Sequence, residues 1–327
     1  MSELLPVIPS RGDLDWCWYL RRQGQIGEAL ERVLHDIGVM HPGGWADWQP
    51  STMTDTGAPV EMHFTANQSV ISLRTEVEDP GKHPSSRTAK VCDLITELGG
   101  VAPPVALRDV IGAIQGAADL RFGAWLGLHH CARKLGMTLF AELPANGLEL
   151  MGLFPATQIM ATLEKFGDGI RPTMLGYHSF SGQTTLYFET DLAPQDVIQD
   201  LVIPSGVSPV PLLRNIGGML DNAGAVNAGL MKKLGFSYTI HTDGSLPTLA
   251  LQISAKDVFG SDAVIGQLVR DFPGDHVAAY AGLADQLFPA PAGKSFHGDV
   301  GLQARGDDSP LFSIGVAAPW NCPFDTI

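Results

Sequence analysis

The chain has 327 residues, and its 35 Asp and Glu against 21 Lys and Arg give a net charge of −14 at neutral pH. That balance excludes nucleic acid and anionic membrane surfaces as partners, since both are bound through dense Lys and Arg; an anionic ligand must be met by a local basic cluster. The four cysteines, Cys17, Cys92, Cys131 and Cys322, have no CxxC spacing, no signal peptide or bilayer-length apolar run is found, and a reduced cytoplasmic protein is expected.

The length allows two domains, but no Pro/Gly/Ser linker or charge block divides the chain, so one domain spanning residues 1–327 is expected. The Arg11-Gly12-Asp13 triplet near the start reads as a coincidence, because an adhesion ligand needs an extracellular chain. The first expected helix carries the stripe Ile26, Leu30, Val33, Leu34 and Ile37. A hairpin over Val60–Glu78 follows: Val60, Met62 and Phe64 alternate with Glu61, His63 and Thr65, and Ile71, Leu73 and Val77 with Ser72, Arg74 and Glu76. Val91, Leu94, Ile95 and Leu98 form a second helical stripe that stops at Gly99-Gly100.

Four more hairpins are expected over Arg121–Leu143, Thr173–Thr190, Phe236–Lys256 and Phe296–Ala318. Helical stretches separate them, one being Val264, Ile265, Leu268, Val269 and Phe272, with Ser261 as its N-cap. Ala66-Asn67, Ser181-Gly182, Asp243-Gly244 and Gly306-Asp307-Asp308 supply the turn chemistry between paired strands. The repetition predicts an α+β fold: a ten-stranded antiparallel β-barrel of five αββα repeats, its apolar face against a ring of helices. Ten strands enclose too wide a space for side chains to fill, so a polar, solvent-accessible central chamber is expected.

Alternation assigns Glu61, Arg74, Tyr187 and Gln252 to the chamber and Met62, Leu73, Leu186 and Leu251 to the helices; a one-residue slip would invert both sets. On the third strand Arg121, Trp125 and His129 read as inward, with Phe122, Ala124, Leu126 and Leu128 outward. The remaining inward sets are Thr138, Phe140 and Glu142; Gln183, Thr185, Tyr187 and Glu189; Ser254 and Lys256; and His297, Asp299 and Gln303.

The first hairpin, Gly57-Ala58-Pro59-Val60-Glu61 followed by Ser72-Leu73-Arg74-Thr75-Glu76-Val77-Glu78-Asp79-Pro80, resembles the opening hairpin of the bacterial dimethylallyltryptophan-synthase type of aromatic prenyltransferase. Met137-Thr138-Leu139-Phe140-Ala141-Glu142 and Thr185-Leu186-Tyr187-Phe188-Glu189 are similar to later strands of that family, and the repeat count extends the resemblance over essentially the whole chain. The resemblance implies transfer of a prenyl group from an isoprenoid diphosphate, typically dimethylallyl diphosphate, to an electron-rich acceptor such as an indole or tryptophan in a small molecule or peptide. Such chemistry needs cations around the leaving group, a dry π-rich wall around the allyl cation and a group to stabilise the acceptor.

Carried onto this chain, the resemblance places Glu61 on the acceptor's N–H, with burial expected to raise its pKa toward useful base strength. It places Arg74 on the diphosphate and matches Gln252 to a glutamine of that site; Arg121, His129 and Lys256 are the further inward cations. Trp125, Phe140 and Tyr187 line the prenyl and acceptor pocket. No cofactor is required on this reading, and no metal-ligand motif such as DDxxD is present, although Mg²⁺ held by Glu142, Glu189 and Asp299 is an open alternative for supplementing the cations. On the fourth and sixth strands the family commonly carries lysine, arginine and tyrosine where this chain has Thr138, Phe140 and Glu142, and Gln183, Thr185, Tyr187 and Glu189. The competing reading is therefore a non-catalytic barrel that binds a small molecule or peptide.

Overall fold

The alternating runs form ten strands in the computed structural model, which describes residues 33–34, 48–66, 71–131, 134–144, 147, 157–192, 194–222, 233–271, 280, 295–304 and 309–318. They are β1 Val60–Thr65, β2 Ser72–Thr75, β3 Ala124–Cys131, β4 Lys134–Glu142, β5 Ile170–His178, β6 Thr184–Thr190, β7 Leu234–Ile240, β8 Thr248–Ser254, β9 His297–Gln303 and β10 Leu311–Ala317. Each pairs antiparallel with its neighbours in sequence, and β1 pairs with β10 to close the barrel. Closure removes the open edges that a sheet of this length would expose.

Seven α-helices accompany the strands among the described residues: α1 Arg87–Glu97, α2 Val105–Gly116, α3 Thr157–Glu164, α4 Pro194–Leu201, α5 Pro209–Asn222, α6 Ala255–Phe259 and α7 Asp262–Asp271. Of the first expected helix only Val33 and Leu34 are described, both helical and buried. Asn67, Gly306-Asp307-Asp308, Phe272, Cys17, Cys322 and Arg11-Gly12-Asp13 lie outside the described residues. No described helix is long and apolar enough to cross a membrane.

Met62, Leu73, Leu186 and Leu251 are buried in one continuous core with Val91, Ile95, Ile111, Val197, Ile198 and Ile265 of the helices. Burying one full Leu or Ile side chain stabilises by roughly 1.5–3 kcal/mol, so this layer fixes the register and with it the inward set. A smaller apolar cluster of Phe122, Trp125 and Met174, joined by Met53, Phe140 and Tyr187, is separate from that core.

Two bulges interrupt the alternation. On β5, Pro172 faces Phe188 and Met174 faces Tyr187, leaving Thr173 as the extra residue; Pro172 has no N–H to give a regular ladder, which suits it to such a place. On β9, Gly298 and Asp299 together stand opposite Gly315, because Val300 pairs with Ile314 and His297 with Val316. This corrects the assignment of His297, which lies on the outer face instead of in the chamber. There it is buried between Asp262 of α7, 2.6 Å from its Nδ1, and the Tyr280 hydroxyl, 2.6 Å from its Nε2. Asp262 also accepts from the Ser295 hydroxyl and the Phe296 backbone N–H, so it ties α7 to the start of β9.

Arg87, at the start of α1, is buried to 1% exposure. Its guanidinium donates to the carbonyls of Asp79, Pro80, Lys82 and Phe122, and lies 3.5 Å from Glu76. One side chain thus staples the segment after β2 to the turn before β3.

Candidate active site

Glu61, inward on β1, is buried to 4% exposure. Its Oε2 lies 2.8 Å from His63 Nε2 and 3.4 Å from Arg74 Nη1, and its Oε1 packs against Gly298 and Gly315, where a Cβ on either glycine would collide with it. The missing side chains at the second bulge therefore make room for the carboxylate. Burial opposes ionisation of Glu61, but the charge and hydrogen bond of His63, with the charge of Arg74, outweigh it and hold the carboxyl below its ordinary range. The expected upward shift is overturned: Glu61 is a fixed anion. Its neighbour Asp299 opens into the chamber deep inside the protein, and its carboxyl is pushed up by burial and then by the charge of Glu61.

Arg74 crosses from β2 to the aromatic wall. Its guanidinium carbon lies 4.8 Å from the centroid of Phe140 and 5.7 Å from that of Trp125, within cation–π range. Its Nε is buried and has no hydrogen-bond partner among the described residues. Leaving a buried N–H unsatisfied costs about 1–3 kcal/mol, so this donor favours an acceptor placed against it.

Trp125 stacks on Phe122 at 3.7 Å between centroids, and Phe140 meets Tyr187 edge-on at 6.0 Å. The Trp125 Nε1–H donates to Glu76 at 3.0 Å, and the Ser51 hydroxyl donates to the same oxygen at 2.6 Å. Burial pushes the Glu76 carboxyl up to about 7 despite the hydrogen bonds and the charge of Arg87. Glu76 shares the inward side with Arg74, as expected, where it holds Trp125 in place and also lies 3.5 Å from Arg87.

On the far side of Arg74 is a cavity of about 210 Å³ lined by His63, Ser72, Arg74, His129, Thr138 and His178, with Phe140 and backbone between them. His178 lies 3.1 Å from the Thr138 hydroxyl through Nδ1 and 3.0 Å from the Thr185 hydroxyl through Nε2. Burial lowers the pKa of His129; burial and then the charge of His129 lower that of His178 to about 4.

Glu61, Arg74, His129, Trp125, Phe140 and Tyr187 thus line one connected region of the chamber. Three other expectations fail. Arg121 is exposed and precedes β3, because Gly123 at φ +70° turns the chain there, and the same turn brings Phe122 onto the inward face against Trp125. A Cβ at Gly123 would also strike the Pro84 carbonyl. Lys256 belongs to α6, opened by Ser254 as N-cap, and pairs with Asp55 at 2.7 Å. Gln252 faces inward as expected and donates to the Ser237 hydroxyl at 3.0 Å.

The proposed Mg²⁺ carboxylates do not converge either. Glu142 accepts the backbone N–H groups of Arg121, Phe122 and Gly123, and Glu189 pairs with Arg171 and Lys233, while Asp299 stands beside Glu61. Among the described residues no group of three or more His, Cys, Asp or Glu could hold a metal ion. Sequence reasoning missed His178, because no inward set was assigned to β5, whose bulge breaks the period, and it missed the pairing of His63 with Glu61. The second was legible, because residues two apart share a strand face.

No protein-family model matches the chain, and no curated protein matches it in sequence. Solved structures do. The chain superposes on 5-dimethylallyl tryptophan synthase from Streptomyces coelicolor in complex with DMASPP and Trp with a TM-score of 0.69 at 13% identity, over 95% of this chain and 97% of that one. The fold is that of the aromatic prenyltransferase barrel. A ternary complex of the prenyltransferase PriB with L-tryptophan and dimethylallyl thiolodiphosphate has a TM-score of 0.66 at 14% identity, covering 92% and 94% of the two chains. AnaPT from Neosartorya fischeri has the same score at 11% identity, covering 96% and 94%. The prenyltransferase barrel therefore accounts for nearly the whole length of this chain, including the strands that carry Glu61 and Arg74.

Proposed function

We propose that this protein is a cytoplasmic aromatic prenyltransferase, which transfers the prenyl group of an isoprenoid diphosphate, with dimethylallyl diphosphate as the donor, to an indole or tryptophan in a small molecule or peptide. The observation that carries the reading is Arg74: a half-buried cation whose buried Nε has no partner among the described residues, set between the Glu61 carboxylate and the wall of Trp125, Phe140 and Tyr187. The solved tryptophan prenyltransferases that share the barrel support the substrate class.

On this reading the donor's C–O bond breaks and the diphosphate leaves with the electron pair, held by Arg74 through bidentate contact. The allyl cation sits against the aromatic faces, whose quadrupoles stabilise it without supplying a nucleophile. The acceptor ring attacks, forming the new C–C bond, while Glu61 accepts its N–H and offsets the positive charge that spreads over the ring. Loss of the ring proton restores aromaticity, and of the two neighbouring carboxylates Asp299 is the more basic one to receive it.

Arg74→Ala is expected to weaken binding of dimethylallyl thiolodiphosphate at least tenfold, since one charge-assisted phosphate contact is worth about 1.5–3 kcal/mol. Titration calorimetry measures it. Unchanged affinity would leave Arg74 as a partner of Glu61 only. The second reading, a non-catalytic binding barrel, is favoured by Thr138 and Thr185 standing where lysine or arginine is expected, and it predicts no affinity for the thiolodiphosphate.

A further inference from the structure

The cavity beside Arg74 poses an electrostatic problem. The charge of Arg74 is offset by Glu61 3.4 Å away, so the free site offers almost no net positive charge to a diphosphate. Other polar groups face the cavity from each surrounding element: His63 from β1, Ser72 from β2, His129 from β3 and Thr138 from β4. His178 comes from β5; behind it Thr185 of β6 bonds Thr239 of β7, and Tyr187 of β6 and Asp299 of β9 lie within electrostatic reach of Arg74. Arg74 is the one Lys or Arg in that set. Three imidazoles, His63, His129 and His178, occupy the wall.

Resting on the donor assigned above, we propose that His178 and His129 complete the phosphate site by taking up a proton from solvent as the donor's diphosphate binds. The hydrogen bonds of His178 are arranged for both states. Both its ring nitrogens face hydroxyls, Thr138 at 3.1 Å and Thr185 at 3.0 Å, and a hydroxyl can donate or accept. In the neutral ring one nitrogen accepts, so one threonine O–H is spent on it. The imidazolium donates from both nitrogens, and each threonine must then accept and turn its own O–H elsewhere. For Thr185 the next acceptor is Thr239 at 2.9 Å; for Thr138 it is the cavity. A single proton therefore adds a positive charge and aims an O–H donor at the phosphate, with no movement of heavy atoms. His129 makes no hydrogen bond among the described residues, and its ring covers Gly136, where a Cβ would collide with it. It lines the same cavity with its Nε2 packed over Gly136, so what it can add to a phosphate there is charge.

Burial favours the neutral form of both rings in the free protein, and a charge on one ring opposes a charge on the other. The sign follows: a bound anion favours the charged imidazole and raises its pKa, so affinity must fall as pH rises through the bound value. The ligand's own ionisation works in the opposite direction, because a phosphate gains charge above about pH 6.

The test is titration calorimetry of dimethylallyl thiolodiphosphate at about pH 7 and about pH 8, in two buffers of different ionisation enthalpy, which counts the protons taken up. The parent protein should bind with net proton uptake, and its affinity should fall severalfold, at most about tenfold, over that one unit. His178→Gln keeps an amide donor and acceptor but cannot titrate; it should take up fewer protons and lose most of the pH dependence, and His129→Gln part of it. Binding by the parent without net proton uptake overturns the proposal and leaves the prenyltransferase reading intact; that measurement needs no variant to fold. Absence of binding at every pH overturns both.

Discussion

Glu61→Gln is expected to lower kcat roughly 10²–10⁴-fold while leaving donor affinity little changed. The substitution keeps the shape of the side chain and removes its charge. His63 and Arg74 hold Glu61 ionised, so the parent carries a full negative charge at the bottom of the acceptor site. Positive charge spreads onto the acceptor ring only as the allyl cation is attacked, so the lost interaction belongs to the transition state and appears in kcat. Turnover and thiolodiphosphate binding, measured on the same Glu61→Gln sample, test both halves. Near-normal turnover would remove Glu61 from the mechanism, and a large loss of donor affinity would place it in the diphosphate site.

Arg87→Ala is expected to destabilise the fold by about 3–5 kcal/mol, the range for breaking a buried ion pair by removing one partner. The variant leaves Glu76 without its cation and the carbonyls of Asp79, Pro80, Lys82 and Phe122 without their common donor. Glu76 would respond by protonating, which spares part of the loss but weakens the acceptor for Trp125 Nε1–H. Arg87→Met separates volume from hydrogen bonding: it refills much of the space and should remain several kcal/mol below the parent. Denaturant unfolding with an unchanged m-value is the measurement, and a stability within about 1 kcal/mol of the parent would show that the staple contributes nothing.

The alternation of β1, β2, β6 and β8 was legible because each strand separates a helix-packed face from a wet one, and a continuous apolar core punishes any slip. Glu61, Arg74, Trp125, Phe140 and Tyr187 were readable on that basis. Three local features defeated the pattern. The left-handed turn at Gly123 released Arg121 to the surface and sent Phe122 inward. The bulge at Gly298 and Asp299 moved His297 behind the sheet. The Ser254 cap started a helix one residue before Lys256. Each depends on a single residue's backbone conformation, to which a period-two count is blind. The lowered pKa of Glu61 was missed for another reason: burial was weighed alone, without the imidazole two residues along the same face.

The most direct test of the account is mass spectrometry of tryptophan and tryptophan-containing cyclic dipeptides after incubation with the protein and dimethylallyl diphosphate, with and without Mg²⁺. The account predicts an acceptor carrying one added prenyl group, with product formation strongly reduced in Glu61→Gln and Arg74→Ala. Unmodified acceptors from a protein that also fails to bind dimethylallyl thiolodiphosphate would contradict it.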